Sequence, residues 1–370
     1  MLNKWFVLLL CLCFLTPALA QRKKKKHPVL DTIPVVVDTI PHYIHLYDSA
    51  CKLIDSAKYF TAVTILKKVM KEGPDYYMAH NKMAYIFIKQ EKFKDAFKSL
   101  DKAEKIRPLN FESCKLRGIA FFLTQQFTES RTALDSAVSM ATAEKIDDAE
   151  LLYWQGMLMY LGKNYKGAIK VCVAALDLNA KFLEVMVLKA DCRYAMKDYA
   201  NAVKDYDEAI NAMPKDKQDD ECFNARAKSK IEIGDYKGAI KDYSEIINAN
   251  PNDEPALLYR AICKINLKDY SSAIADLDAA IKENRGNPIS WCNRGVAKSA
   301  LKSNVEALKD INEAIKLKFD YAAAYVNRAA IKMASKDKHG ACEDLERADR
   351  IGDPMATKLI EQYCKGLPGH

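Results

Sequence analysis

The stretch "GDYKGAIKDYSEIINANPND", Gly234 to Asp253, decides how the chain folds once it is set beside two others. These are "KDYSSAIADLDAAIKENRGN" from Lys268 and "KNYKGAIKVCVAALDLNAKF" from Lys163. All three run polar turn, aromatic, small residue, then apolar residues at helical spacing. Aligned on the small residue, the pattern recurs at Ala62, Ala96, Ser130, Ala168, Ala202, Ala239, Ala273, Ala307 and Ala341. The spacing is 34 residues except for two longer steps of 38 and 37. A second small residue precedes each of these by twelve: Ala50, Ala84, Gly118, Gly156, Ala190, Ala227, Ala261, Gly295 and Ala329. An aromatic stands three before most: Tyr59, Phe93, Phe127, Tyr165, Tyr199, Tyr236 and Tyr270.

A beat of this length, with apolar residues in helical register on both sides of a short turn, predicts a hairpin of two amphipathic helices per unit. Small residues at matched levels let the two backbones approach, and the aromatic wedges against the neighbouring unit. Prolines at 74, 108, 214 and 251 stop several second helices. One hairpin cannot bury its apolar face alone, so the units must stack into a continuous core.

These residues resemble the tetratricopeptide repeat family, over residues 43 to about 352. The resemblance implies an all-α solenoid: nine antiparallel helix pairs in a right-handed superhelix with a concave groove. After Gly352, a helix cap, Asp353 and Pro354 start one more helix that would cover the last unit, with a tail to residue 370. Cys342 and Cys364 then fall at nearly the same level of an antiparallel pair. Two readings stand for them: a disulfide if the chain is exported, or two buried thiols.

Residues 1–20 have the parts of a secretory signal: Lys4, an apolar run from Trp5 to Leu15, and a small-residue ending at Ala20. Export to the periplasm, or attachment to the inner membrane facing it, is the expectation. Cleavage after Ala20 is the expected processing, and an uncleaved anchor stays open because positive charges just past an apolar run resist translocation. Residues 21–42 read as a basic, proline-containing extended linker. Of the net charge of +8, five units are Arg22, Lys23, Lys24, Lys25 and Lys26. The repeats themselves are close to neutral, which argues against a specific nucleic-acid complex. For the basic run, weak contact with an anionic membrane surface and plain solvation both remain open.

Function follows from what could line the groove. In the resembled family the inner face comes chiefly from the second, fifth, ninth, twelfth and thirteenth positions of each first helix. Those positions bring in Tyr47, Tyr85, Phe122, Tyr153, Met157, Tyr160 and Tyr194, with Trp154 beside them, and an acidic edge of Glu112, Glu150, Glu184 and Glu221. The resemblance implies capture of a protein or peptide there; aromatics at helical spacing also serve plain packing. A clamp for C-terminal carboxylates, found in part of the family, is missing. Asn293 and Asn327 match one of its asparagines, but Leu258, Ile262, Cys292 and Val296 stand where its polar residues should be.

A recurring base–acid column in units five to nine (Lys189, Arg226, Arg260, Arg294 and Arg328 with Asp205, Asp242, Asp276, Asp310 and Asp344) predicts paired structural ladders. There is no glycine-rich phosphate loop, nucleophile elbow or His–Glu metal motif. The nine cysteines beyond residue 20 form no zinc pattern. The expectation is therefore a scaffold without catalysis, cofactor, metal or small-molecule substrate. The alternatives are a non-enzymatic envelope carrier of a glycan or other ligand, and a membrane-anchored assembly factor.

Overall fold

The computed structural model describes residues 40–214 and 220–364. The signal segment, the basic run Arg22–Lys26, most of the linker and the last six residues lie outside them. Among the described residues there are nineteen helices and no strand. The first units are α1 (His42–Asp55) with α2 (Tyr59–Glu72), α3 (Tyr77–Lys89) with α4 (Phe93–Ile106), and α5 (Phe111–Leu123) with α6 (Phe127–Glu144). Then come α7 (Ala149–Leu161) with α8 (Tyr165–Leu178) and α9 (Leu183–Ala195) with α10 (Tyr199–Ala212). The later units are α11 (Asp220–Glu232) with α12 (Tyr236–Ala249), α13 (Glu254–Asn266) with α14 (Tyr270–Glu283), and α15 (Pro288–Ala300) with α16 (Asn304–Leu317). The series closes with α17 (Ala322–Ala334), α18 (Lys338–Ile351) and α19 (Pro354–Tyr363). Each odd helix packs on the even helix after it, and each pair on the next.

The small residues sit where the two helices of a unit touch. Ala50 and Ala62, Ala84 and Ala96, and Ala261 and Ala273 are fully buried. Gly118 and Gly295 show why bulk is excluded. A Cβ on Gly118 would lie 2.5 Å from Leu134 Cγ, and one on Gly295 2.6 Å from Ile311 Cγ1 and 3.0 Å from the Ala307 carbonyl oxygen. Ser130 answers differently, its hydroxyl donating to the Gly118 carbonyl at 2.8 Å. The recurring aromatic is the first residue of each second helix from α2 to α14.

The turn inside every unit uses one residue in the left-handed region: Ala57, Glu91, Gln125, Lys163, Lys197, Gly234, Lys268, Lys302 and Lys336. Only one of these is glycine, so the other eight accept the steric cost that a Cβ brings there.

The four extra residues of the 38-residue step, near Met140, are helical. They lengthen α6 to 18 residues where other second helices have 14, and Lys145, at φ 55°, ends it. Alanine-rich sequence with Ala141 buried simply continues the helix by one turn. The other insertion falls largely on residues 215–219, outside the described residues.

In units five to nine the bases and acids pair as ladders. Asp276 accepts from Arg260 Nη2 and Lys264 Nζ, both at 2.7 Å, and Asp242 likewise from Arg226 and Lys230 at 2.7 and 2.9 Å. Asp310 and Asp344 repeat the arrangement with Arg294 and Lys298, and with Arg328 and Lys332. These carboxylates are buried, so the small value of an exposed ion pair does not apply to them. Arg226, Arg260, Arg294 and Arg328 also reach back to the preceding unit, to Asp207, Ser244, Asp278 and Asn312. In the fifth unit lysine replaces arginine. Lys189 and Arg193 approach Asp205 at 3.1 and 2.8 Å, and burial still holds its carboxyl above the ordinary range.

At the end, Gly352 (φ 99°) closes α18 and Asp353 accepts from the amides of Met355 and Ala356 to start α19. Leu359 and Ile360 of α19 cover Leu345 and Ala341 of α18. The sulfurs of Cys342 and Cys364 are joined across this contact, with Cα atoms 5.8 Å apart.

Candidate partner-binding groove

The odd-numbered helices α1 to α9 carry the eight aromatic and methionine side chains singled out above, and all eight are half-buried. Their positions follow from the unit. With small residues fixing one face of each first helix against its partner, the fifth, ninth and twelfth positions turn to the other face.

They fall into three groups. At the N-terminal end Tyr47 sets its ring edge-on to Tyr76, with centroids 5.1 Å apart, and Tyr43 joins them. In the centre an aromatic ribbon runs from Phe122 to Trp154 (5.1 Å), Tyr153 (5.1 Å) and Phe182 (5.6 Å). Tyr160 and Tyr194 stay within their own units, packed on Tyr165 and Tyr199 at 5.5 and 5.3 Å. Tyr85 and Met157 flank the ribbon. Tyr85 and Trp154 line a cavity of about 430 Å³ with Leu116, Ile119 and Glu150. Tyr153 and Met157 line another of about 460 Å³ with Val187, Leu188, Glu184 and Asp191. Trp154 of the fourth unit also packs against the core of the second and third units, so part of the aromatic set is internal packing. Its indole Nε1 is buried without a hydrogen-bond partner among the described residues.

The acidic edge divides. Glu112 and Glu150 turn towards Lys115, at 3.3 and 3.5 Å, and Asp148 joins them at 2.8 Å. Lys115 is only 6% exposed. Burial alone would lower its pKa; the three surrounding carboxylates reverse that and raise it above the ordinary lysine value. Glu184 stands apart from this cluster. Asp191, two turns further along the α9 inner face, accepts a hydrogen bond from the Tyr206 hydroxyl. Burial raises the Asp191 pKa, with Glu221 adding to the effect and the Tyr206 bond opposing it.

Lys115 and Asp191 occupy the fifth and ninth positions of their helices, the register of Tyr153 and Met157. The repeat itself therefore marks them, although a search for aromatics passes over them. Phe182 and Asp148 lie just ahead of α9 and α7, where the register carries no signal.

Cys114, Cys172, Cys192, Cys263 and Cys292 are buried, and burial pushes each thiol up, to about 12 for Cys172, Cys192 and Cys263. Among the described residues no group of three His, Cys, Asp or Glu side chains could hold a metal ion. His42, three residues before His45 and nine before Cys51, has its Nδ1 2.9 Å from a carboxylate oxygen of Glu72. No helix among the described residues is long and apolar enough to cross a membrane.

Comparison with known proteins agrees with this architecture. Tetratricopeptide repeat family models match residues 183–216 and 231–291. No curated protein matches the sequence. Among solved structures, a tetratricopeptide repeat protein from Parabacteroides merdae is 20% identical with a TM-score of 0.52, covering 69% of this chain and 99% of its own. PilF of Pseudomonas aeruginosa is 16% identical with a TM-score of 0.50, covering 57% and 93%. PilW, described as a widely conserved type IV pilus biogenesis factor, is 14% identical with a TM-score of 0.50, covering 57% and 94%. At these identities the likeness is one of fold. The recurring helix pair, its small-residue contacts and the two family matches together make the chain a tetratricopeptide repeat protein built as an α-solenoid.

Proposed function

We propose that the chain is a non-catalytic scaffold that takes a protein or peptide partner in the groove of its first five units. The observation that carries this reading is the central ribbon Phe122–Trp154–Tyr153–Phe182, half-buried and flanked by two cavities each large enough to admit a side chain. Half-buried aromatics with open apolar space beside them still have surface to remove from water when a partner arrives.

The signal-like residues 1–20 support export, with the solenoid working in the periplasm or facing it from the inner membrane. The basic run beside that segment supports at most a weak contact with anionic lipid.

Cross-linking in intact cells, followed by mass spectrometry, tests both parts. Cross-links from units two to five to an envelope protein, lost on Tyr153→Ala, are the expected result. Cross-links to cytosolic proteins from a chain that still begins at Met1 overturn the export reading. Partner capture unchanged by Tyr153→Ala overturns the groove.

A further inference from the structure

The groove reading leaves the chemistry of its occupant open, and the cavity between α7 and α9 narrows it. Its walls are largely apolar, with Tyr153, Met157, Val187 and Leu188 among them, and its charged side chains are the carboxylates of Glu184 and Asp191. No lysine or arginine lines it. Elsewhere in the molecule buried acids are matched. Each ladder aspartate has two cations, and Glu112, Glu150 and Asp148 share Lys115. Asp191, half-buried, and Glu184, exposed at the rim, have no cation partner among the described residues; Asp191 has only the neutral Tyr206 hydroxyl.

Partly withdrawing Asp191 from water without a counter-charge is costly, and the cost is recovered when a cation enters the same site, where Glu184 at the rim adds a second negative charge. The neighbouring phenols feel the same field. Burial, then Glu184 and Asp191, raise the pKa of Tyr153, and burial, then Asp191, that of Tyr160, so both rings stay neutral beside the acids. A lysine or arginine suits such a space well. Its methylene stem lies against Met157 and Val187, its charge reaches the carboxylates, and the Tyr153 ring offers a cation–π face.

Resting on the groove reading, we propose that the α7–α9 cavity receives a lysine or arginine side chain of an extended partner segment, and that an apolar residue of the same segment fills the adjoining Trp154 cavity. The two cavities meet at the Tyr153–Trp154 pair, so one strand of partner can reach both. Charge complementarity selects this occupant: across the inner positions of α5, α7, α9 and α11 carboxylates outnumber lysines, and the nearest buried lysine, Lys115, is already committed.

The test uses the full chain and two fluorescein-labelled peptides of equal length, one of leucine, glycine and lysine, the other with glutamate in place of every lysine. Fluorescence anisotropy is expected to show the lysine peptide binding at least about tenfold tighter, with affinity falling as salt rises. A Glu184→Gln/Asp191→Asn double variant should erase that preference while its helical circular dichroism is unchanged, because Asn still accepts from Tyr206. Tyr153→Ala should weaken both peptides.

Equal binding of the two peptides, both weakened by Tyr153→Ala, overturns the cation assignment and leaves the groove standing. A lysine preference that survives the double variant overturns the site. Binding of neither peptide overturns the cation assignment and the groove reading together. Lysine-peptide binding that appears only when residues 21–26 are deleted makes the chain's own basic run the occupant and overturns the choice of a separate partner.

Discussion

Units one to four and units five to nine repeat the same helix pair but hold it together by different means. From α9 onward every unit has a rung in which a buried aspartate of the second helix meets two cations of the first. Before α9 none does. The aspartate position holds Ile65, Ser99, Ala133 and Val171, and the second-cation position holds Leu53, Phe87, Phe121 and Met159. At the first-cation position Arg117 alone keeps a base, and without an acid in its own unit it turns back to Asp101 and Glu104 of α4 at 2.8 and 2.9 Å. Caps do not follow this division: Asn110, Asp148 and Asn164 cap α5, α7 and α8, and α9, α10, α16 and α17 have no side-chain cap. The longest capped run is α12 to α15, capped by Asp235, Asp253, Asp269 and Asn287, and the longest uncapped run is α1 to α4. The lesson is a division of labour. The second half secures its units with directional buried ion pairs, and the first, which has no such rungs, relies on apolar and aromatic packing, the surface on which the proposed groove rests.

The comparison breaks most directly at a rung. Asp276→Ala leaves Arg260 and Lys264 part-buried without their acid and should cost about 3 kcal/mol. Because a solenoid unfolds by neighbouring units, hydrogen exchange of α13 and α14 is the measurement to make. Protection lost only there would confirm a local rung. A loss below about 0.5 kcal/mol would reduce the ladder to an ordinary surface pair.

The shared small-residue contact should behave alike in both halves. Gly118→Ala and Gly295→Ala place a methyl group where no room exists, and should cost about 1–3 kcal/mol despite the better helix propensity of alanine. Gly156→Ala meets Leu188 and Val171 only at 3.1 and 3.3 Å and should change stability by less than about 1 kcal/mol. Thermal melting of the three variants checks the contrast. Equal losses would mean that close approach is not what selects glycine.

The smallest effect lies at the turns. Lys268→Gly relieves a left-handed residue at φ 64° and should stabilise by up to about 1 kcal/mol, with Gly234→Ala moving the opposite way. Nothing lies within 4 Å of a Cβ on Gly234, so only backbone conformation is at stake there.

Much of this was legible in the chain. The small residues at matched levels, the aromatic that opens each second helix to α14 and the capped final helix all follow from spacing that local geometry reads directly. The base–acid column was legible too, although not that its aspartates are buried, since burial depends on the neighbouring unit. The groove was legible in part. Register named the aromatics, but not that Trp154 packs onto the units before its own, nor that Lys115 absorbs two of the four glutamates on the acidic edge.

Sequence by itself determined the helix pair, its repetition and the faces that meet, because those depend on residues at most a few turns or one hairpin apart. Tertiary structure decided which inner side chains are spent on packing and which stay available. Phe122 and Trp154, or Lys115 and Asp148, come from different units more than thirty residues apart. Their contact depends on how each unit is rotated on the last, and no pattern within a single unit encodes that rotation.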